Sequence, residues 1–304
     1  MKYKIVYMGT PHYAKEILAT LLDADDMDVG LVVTQPDRPV GRKKVLTPPP
    51  VKELALKFDI EVLQPQRLSD GGVYEAIVEA QPDFIVVAAF GQILPKGILD
   101  IAPCINLHAS ILPQYRGASP VQQSLLNGDE KTGVTSMLME EGLDTGDILK
   151  IKEFDIPPTM RLYALMAQLT DDACALTLET IREFNLITPM PQDDSQASLC
   201  KKIKKSDGVI DFVDAKIIYN KYRAFEGWPG VFSEDGVKFD GVVLLDTVSK
   251  NNAKEILEFV DDAVVVGCES GSLRIATIQP PSKKPMSAKA YCVGRGMRVG
   301  DSIV

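Results

Sequence analysis

"FIVVAAF", residues 84–90, is seven apolar residues without a polar break, and "CINLHAS" follows at 104–110. A continuous apolar run of that length reads as a strand buried on both faces, the kind found in parallel sheets covered by helices. Outward from it, "KIVYMG" (4–9) and "DVGLVVTQ" (28–35) read as strands, separated by a helical pattern over 11–23. "EVLQ" (61–64) and "TGVTSMLME" (132–140) add strands, and helices are predicted near 119–127 and over 159–185. This alternation predicts βαβ units: an α/β, Rossmann-like, mainly parallel sheet domain with helices on both faces.

The character changes at "ITPMPQDDSQASLCKKIKKSDG" (187–208), which has two prolines, few large apolar residues and the composition of a linker. Beyond it come one helical pattern (214–226) and then short apolar stretches such as "VKFDGVVLLD" and "GSLRIATIQP", separated by Gly and Asp turns. These predict a small antiparallel β-barrel, OB-like in kind. The expected organisation is a catalytic domain over 1–187, a linker over 188–207 and a C-terminal barrel over 208–304. A cut near Ser198 is expected to leave the first domain folded.

The 304 residues are 45% hydrophobic and 25% charged, which is ordinary for a globular protein. No run approaches the roughly 20 apolar residues of a membrane span, and the opening "MKYKIVYMGTPHYAKEIL" lacks the pattern of a signal peptide, so a cytoplasmic location is expected. The five cysteines are odd in number and contain no C-x-x-C pair, which predicts reduced structural thiols and no metal. The turn after the first strand, "MGTPHYA", has one glycine where a dinucleotide site needs G-x-G-x-x-G, and no phosphate-binding G-x-x-x-x-G-K-[ST] occurs. Charge is unevenly spread: residues 200–304 carry 16 Lys and Arg against 14 Asp and Glu, while the remainder is net −11. Two basic stretches stand out, "DRPVGRKK" (37–44) and "CKKIKK" (200–205). Each is compatible with a solvated surface or with a local polyanion contact.

In open parallel sheets ligands sit beyond the carboxyl ends of the strands. The strand alternation in "CINLHAS" places Asn106 and His108 on one face. An amide donor beside an imidazole suits a reaction in which charge develops on a carbonyl oxygen and a proton moves near neutral pH. Such an imidazole needs a third group to orient it, and "EEGLDTGDIL" (140–149) offers Asp144, held between two glycines in a turn. Asp147, at the start of the next strand, is better suited to capping, and His12, in the first turn of a helix, is a weaker candidate. Cys104 lies two residues behind Asn106 and is expected to be buried and inert. With no serine or cysteine nucleophile in the set, direct attack by a substrate's own nucleophile is expected.

"INLHASILPQYRGASP" followed by "GLDTGDIL" resembles the signature pair of the formyltransferases that use 10-formyltetrahydrofolate. The resemblance implies that Asn106, His108 and Asp144 are catalytic. It assigns Ser110, Ile111, Leu112 and Pro113, together with Phe90 and Gly91 in "VVAAFGQILP", to folate binding. "VVTQPDRPVGRKKVLTPPPVKELA" (32–55) is similar to an insertion found in the branch of that family acting on methionyl-tRNA, and "RAFEGWPGVF" and "KKPMSA" resemble that branch's C-terminal domain. The implied reaction is formyl transfer to the α-amine of methionyl-initiator tRNA, with no metal, no membrane and no obligate protein partner. Arg38, Arg42, Lys43 and Lys44 in the Pro-stiffened loop, and Lys201, Lys202, Lys204 and Lys205 beyond it, are the implied tRNA contacts. Gln114 and Tyr115 stand where relatives often have Arg and Trp, and Ser119 replaces an Ala. A sugar-nucleotide formyltransferase sharing this strand, and a non-catalytic tRNA-binding protein, are the competing readings.

Overall fold

The structure is a computed structural model that describes residues 2–41 and 43–304. The chain forms two compact units, one of residues 1–120, 131–155 and 166–200, the other of residues 121–130, 156–165 and 201–304.

The first half of the chain runs β1 (Tyr3–Gly9), α1 (His12–Asp23), β2 (Met27–Val33), β3 (Arg38–Val40), β4 (Val45–Thr47), α2 (Pro50–Lys57), β5 (Glu61–Leu63) and α3 (Val73–Glu79). It continues through β6 (Phe84–Ala88), α4 (Lys96–Leu99), β7 (Cys104–His108), β8 (Arg116–Gly117), α5 (Pro120–Asn127), β9 (Lys131–Leu138), β10 (Ile148–Asp155), α6 (Leu162–Glu183) and β11 (Leu199–Cys200). Seven strands form one sheet in the order β10-β9-β7-β6-β1-β2-β5. The five from β7 to β5 are parallel, and β9 and β10 extend the β7 edge antiparallel. All of β6 is buried, as its unbroken apolar sequence requires. On one face Ile85 and Val87 join Val73, Ile77 and Ile98 in a hydrophobic cluster. Gly9 ends β1 because a side chain there would come within 2.7 Å of the Ala14 Cβ, where the chain turns into α1.

Two expectations are corrected here. The basic stretch after β2 is not an irregular loop: β3 and β4 pair antiparallel, with Val40 opposite Val45. Residues 188–200 are not a free linker either. Met190 bridges to Ile148, and β11 pairs in parallel with β8, so this segment is built into the α/β unit.

The second unit contains α7 (Ala215–Ala224), β12 (Val231–Phe232), β13 (Lys238–Asp246), β14 (Ile256–Val260), β15 (Ala263–Gly267), β16 (Ser272–Gln279), β17 (Met286–Ser287) and α8 (Ala288–Val293). Asp214 caps α7 by accepting from the Ile217 N–H at 3.0 Å. The antiparallel sheet runs β12-β13-β16-β15-β14, with β17 on β16. Phe212 and Phe239 meet edge to face at 5.5 Å within its core. Among the described residues the pairing is open at β12 and β14, so the predicted antiparallel unit is present without hydrogen-bonded closure into a barrel.

The boundary expected near residue 187 divides both units. Asn220 donates to the Leu126 carbonyl at 3.2 Å, and Arg223 Nε donates to that of Met160 at 2.8 Å, so pieces from before α6 belong to the second unit. A fragment of residues 1–187 keeps those pieces without their partners and loses β11. It should therefore aggregate or melt well below the intact protein. Thermal melts of both test this, and a monomeric fragment melting with the full chain would contradict it.

Candidate active site

β7 lies between β6 and β9, so both its edges are paired, and all five of its residues are buried. Asn106 and His108 are only 8% and 6% exposed there. Two polar side chains at such depth need partners, because an unpaired buried polar group costs about 1–3 kcal/mol.

His108 finds its partner in the backbone. Its Nε2 lies 3.0 Å from the Tyr115 carbonyl oxygen, which can only accept, so Nε2 carries the proton and Nδ1 is the nitrogen turned to the site. Tyr115 reaches this position with φ 59°, a left-handed conformation that costs a non-glycine residue roughly 1–2 kcal/mol. Three contacts offset that cost. Tyr115 N–H donates to Ser198 Oγ at 2.9 Å, the next N–H, of Arg116, donates to the Ser198 carbonyl at 2.9 Å, and the Cys200 thiol lies 3.3 Å from the Tyr115 carbonyl. Burial pushes the Cys200 thiol upward, which keeps it protonated as a donor.

Asp144 also has a positive φ, 53°, in the turn between β9 and β10. Its Oδ2 accepts from the Gly117 N–H at 2.8 Å and lies 3.7 Å from His108 Nδ1, while its Oδ1 is 3.4 Å from Asn106 Nδ2. The three residues selected from the sequence thus converge. The tautomer is set by the Tyr115 carbonyl and not by Asp144, which faces the other ring nitrogen. The turn is held by Gln192, whose Nε2 donates to the carbonyls of Asp144 at 2.9 Å and Gly146 at 2.7 Å.

The residues assigned to folate binding divide into two sets. Ser110 and Leu112 point inward: the Ser110 hydroxyl donates to the Gln114 carbonyl at 2.6 Å, and Leu112 packs with Met137 and Ile148. Ile111 and Pro113 stay partly exposed. Phe90 is buried, and its carbonyl accepts from Gln35 Nε2 at 3.2 Å. Gly91 is exposed at φ 83°, and a methyl group there would meet no atom within 4 Å.

Arg38 lies on the exposed β3, Lys43 and Lys44 lie in its turn, and Arg42 falls outside the described residues. Lys201, Lys202, Lys204 and Lys205 are exposed on the second unit. His12 begins α1 and is exposed, and the Asp147 carbonyl accepts from the Leu138 N–H at 2.9 Å. Sequence reading missed Arg116, Gln192, Ser198 and Cys200, whose partners are 46 to 85 residues distant along the chain. Among the described residues no group of three or more His, Cys, Asp or Glu side chains could hold a metal, and no helix is long and apolar enough to cross a membrane.

This fold and site belong to a recognisable class: the formyl transferase family model matches residues 1–181, and the formyl transferase C-terminal domain model matches residues 202–296. The methionyl-tRNA formyltransferase of Sulfurovum sp. (strain NBC37-1) is 71% identical over 304 residues, covering all of both chains. That of Sulfurimonas denitrificans is 51% identical over 300 residues, covering 99% of each. The chain belongs to the methionyl-tRNA formyltransferase family. In fold it is similar to the N-formyltransferase from Helicobacter canadensis, crystallised with folinic acid and dTDP-3-aminofucose. The TM-score is 0.69 at 19% identity, over 91% of this chain and all of that one.

Burial pushes the Cys104 thiol up to about 12, so at pH 8 it is protonated as well as covered. Native protein treated with iodoacetamide at pH 8 should leave Cys104 unlabelled, and rapid labelling detected by mass spectrometry would reopen it as a nucleophile.

Proposed function

We propose that this protein transfers the formyl group of 10-formyltetrahydrofolate to the α-amine of methionyl-initiator tRNA, with Asn106, His108 and Asp144 as its catalytic residues. The observation that carries the reading is the convergence of these three side chains at the end of β7. The folate supplies an activated one-carbon unit bonded to a nitrogen leaving group. In the transfer a bond forms between the methionyl nitrogen and the formyl carbon, and the bond from that carbon to folate N10 breaks. The amine loses a proton and N10 gains one. One N–H of the Asn106 amide faces Asp144, and the other can donate to the formyl oxygen as negative charge develops on it. His108 keeps Nε2–H on the Tyr115 carbonyl, so Nδ1 is where it takes up or returns a proton, opposite the Asp144 carboxylate. Residues 89–91, with Ile111 and Pro113, supply the surface for the folate ring.

The hairpin β3–β4 supports a tRNA acceptor over a small sugar nucleotide. Its one acid, Asp37, is paired with Lys52 at 2.9 Å and accepts from Gln64 Nε2 at 2.7 Å. These contacts, Gln64 first and Lys52 next, hold its carboxyl below the usual range. The positive charges of Arg38, Lys43 and Lys44 are left uncompensated by it. Beside them Val40, Val45 and Leu46 are all more than half exposed, an apolar and basic surface suited to a nucleic-acid end. The near-neutral second unit, with the exposed Lys201, Lys202, Lys204 and Lys205 at its start, serves as an accessory RNA platform. The product enters translation initiation, which places the reaction in the cytoplasm.

A formyl-transfer assay with charged initiator tRNA and the folate donor tests the reading directly, with a dTDP-amino sugar as the alternative acceptor. His108→Ala should slow single-turnover transfer by at least ~10²-fold with folate binding intact. Asp144→Asn, which keeps the size and removes the charge opposite Nδ1, should cost ~10-fold or more. An undiminished single-turnover rate in either variant removes that residue from the mechanism. Replacing Lys43 and Lys44 together by alanine should weaken tRNA binding and reduce the salt slope by up to about two units, roughly one for each phosphate no longer neutralised. An unchanged slope would take the hairpin out of the RNA interface.

A further inference from the structure

Gln192 lies in the stretch whose composition reads as a linker, yet its side chain makes three hydrogen bonds within the protein. Both hydrogens of its amide go to carbonyls of the catalytic turn, those of Asp144 and Gly146, at 2.9 and 2.7 Å. Its Oε1 accepts from Arg116 Nε at 3.0 Å. The partners fix the amide's orientation, because carbonyls only accept and a guanidinium only donates. The far end of this link is the strand that holds both other groups: Tyr115 accepts from His108, and the Gly117 N–H donates to Asp144. Arg116 is itself buried, and its other side-chain anchor among the described residues, Asp194 at 2.8 Å, is 84% exposed, where an ion pair contributes little. The half-buried Gln192 amide therefore ties the backbone of the turn to Arg116, beside the direct hydrogen bond from the Gly117 N–H to the Asp144 carboxylate.

We propose that Gln192 is a positioning residue, which sets the distance between the Asp144 carboxylate and the His108 ring by tying the 144–146 turn to residues 115–117. This rests on the formyl-transfer reading of the site. Gln192 needs no contact with either substrate for this role, because both of its amide hydrogens and one lone pair of its Oε1 are already used by the protein.

Gln192→Glu keeps the shape but places an acceptor oxygen against two carbonyls. It should lower kcat by roughly 10–100-fold, the scale for small misplacements of a catalytic group, with KM for donor and tRNA within about twofold. The chain has two histidines, His12 and His108. Imidazole nitrogen NMR, assigned with a His12→Gln variant, therefore reads His108 alone. The wild type should show the proton on Nε2, and the ring nitrogen shifts should move in Gln192→Glu. Asp194→Asn should change neither kcat nor the shifts. A folded Gln192→Glu with wild-type kcat and unmoved His108 shifts overturns the proposal. Where that variant fails to fold, the wild type still decides. Its Gln192 side-chain amide protons should exchange slowly with solvent, and rapid exchange of both overturns the link. Absence of formyl transfer by the wild type would instead sink the functional reading, and the NMR arms distinguish the two failures.

Discussion

The backbone carbonyl of Tyr115 is the fixed point of the site. It can only accept a proton, and His108 Nε2 supplies one at 3.0 Å, so the ring's orientation follows from the position of one peptide group. That peptide sits in a left-handed conformation which bulky residues avoid. It persists because Ser198 and Cys200 hold it from the other side. Two residues further on, the Gly117 N–H holds the Asp144 carboxylate. A short stretch of irregular backbone therefore sets imidazole and carboxylate together, and the sheet contributes the rigid strand from which Asn106 and His108 project.

Much of this was legible in the sequence. "FIVVAAF" announced a strand covered on both faces, and β6 is buried throughout. The two-residue spacing in "CINLHAS" put Asn106 and His108 on one face, and the glycine-flanked Asp144 fell within reach of them. What stayed hidden was everything that depends on distant pairing. "PQDDSQASLC" has no large apolar residue apart from one leucine, so hydrophobic periodicity is silent there. Its place in the fold comes from hydrogen bonds made by Gln192, Ser198 and the Cys200 backbone. The β3–β4 hairpin was unreadable for a related reason. Its strands are three residues long and exposed, and a proline sits in the first, so no alternation marks them.

Charge separation makes a small basic element effective on an acidic chain. With −11 over residues 1–199, the long-range field of that part repels a polyanion. At physiological salt that field is screened beyond about 8 Å, so recognition is left to groups that touch the partner. The Asp37–Lys52–Gln64 anchor then has two effects: it pins the base of the hairpin and removes the one local acid from competition for its basic residues. Pairing between β3 and β4 together with two nearby prolines, Pro36 and Pro39, limits the conformations open to the hairpin, so a partner that docked on it would order it at a smaller entropic cost.

The return of the chain to β8 at residues 199–200 follows from the same requirement that places Tyr115. Gly117 has φ 122°, which a side chain rarely adopts, and a Cβ there would run into the Cys200 carbonyl. The close pairing of β8 with β11 thus needs a glycine at 117 and needs the chain to return at 200, after α6 has been completed. Residues 121–130 and 156–165 have by then been left in the second unit. A first unit ending with α6 would lack the strand that shapes the backbone beside His108. The segment that ends at residue 200 is therefore part of the candidate site, because the carbonyl that orients His108 is held in place from there.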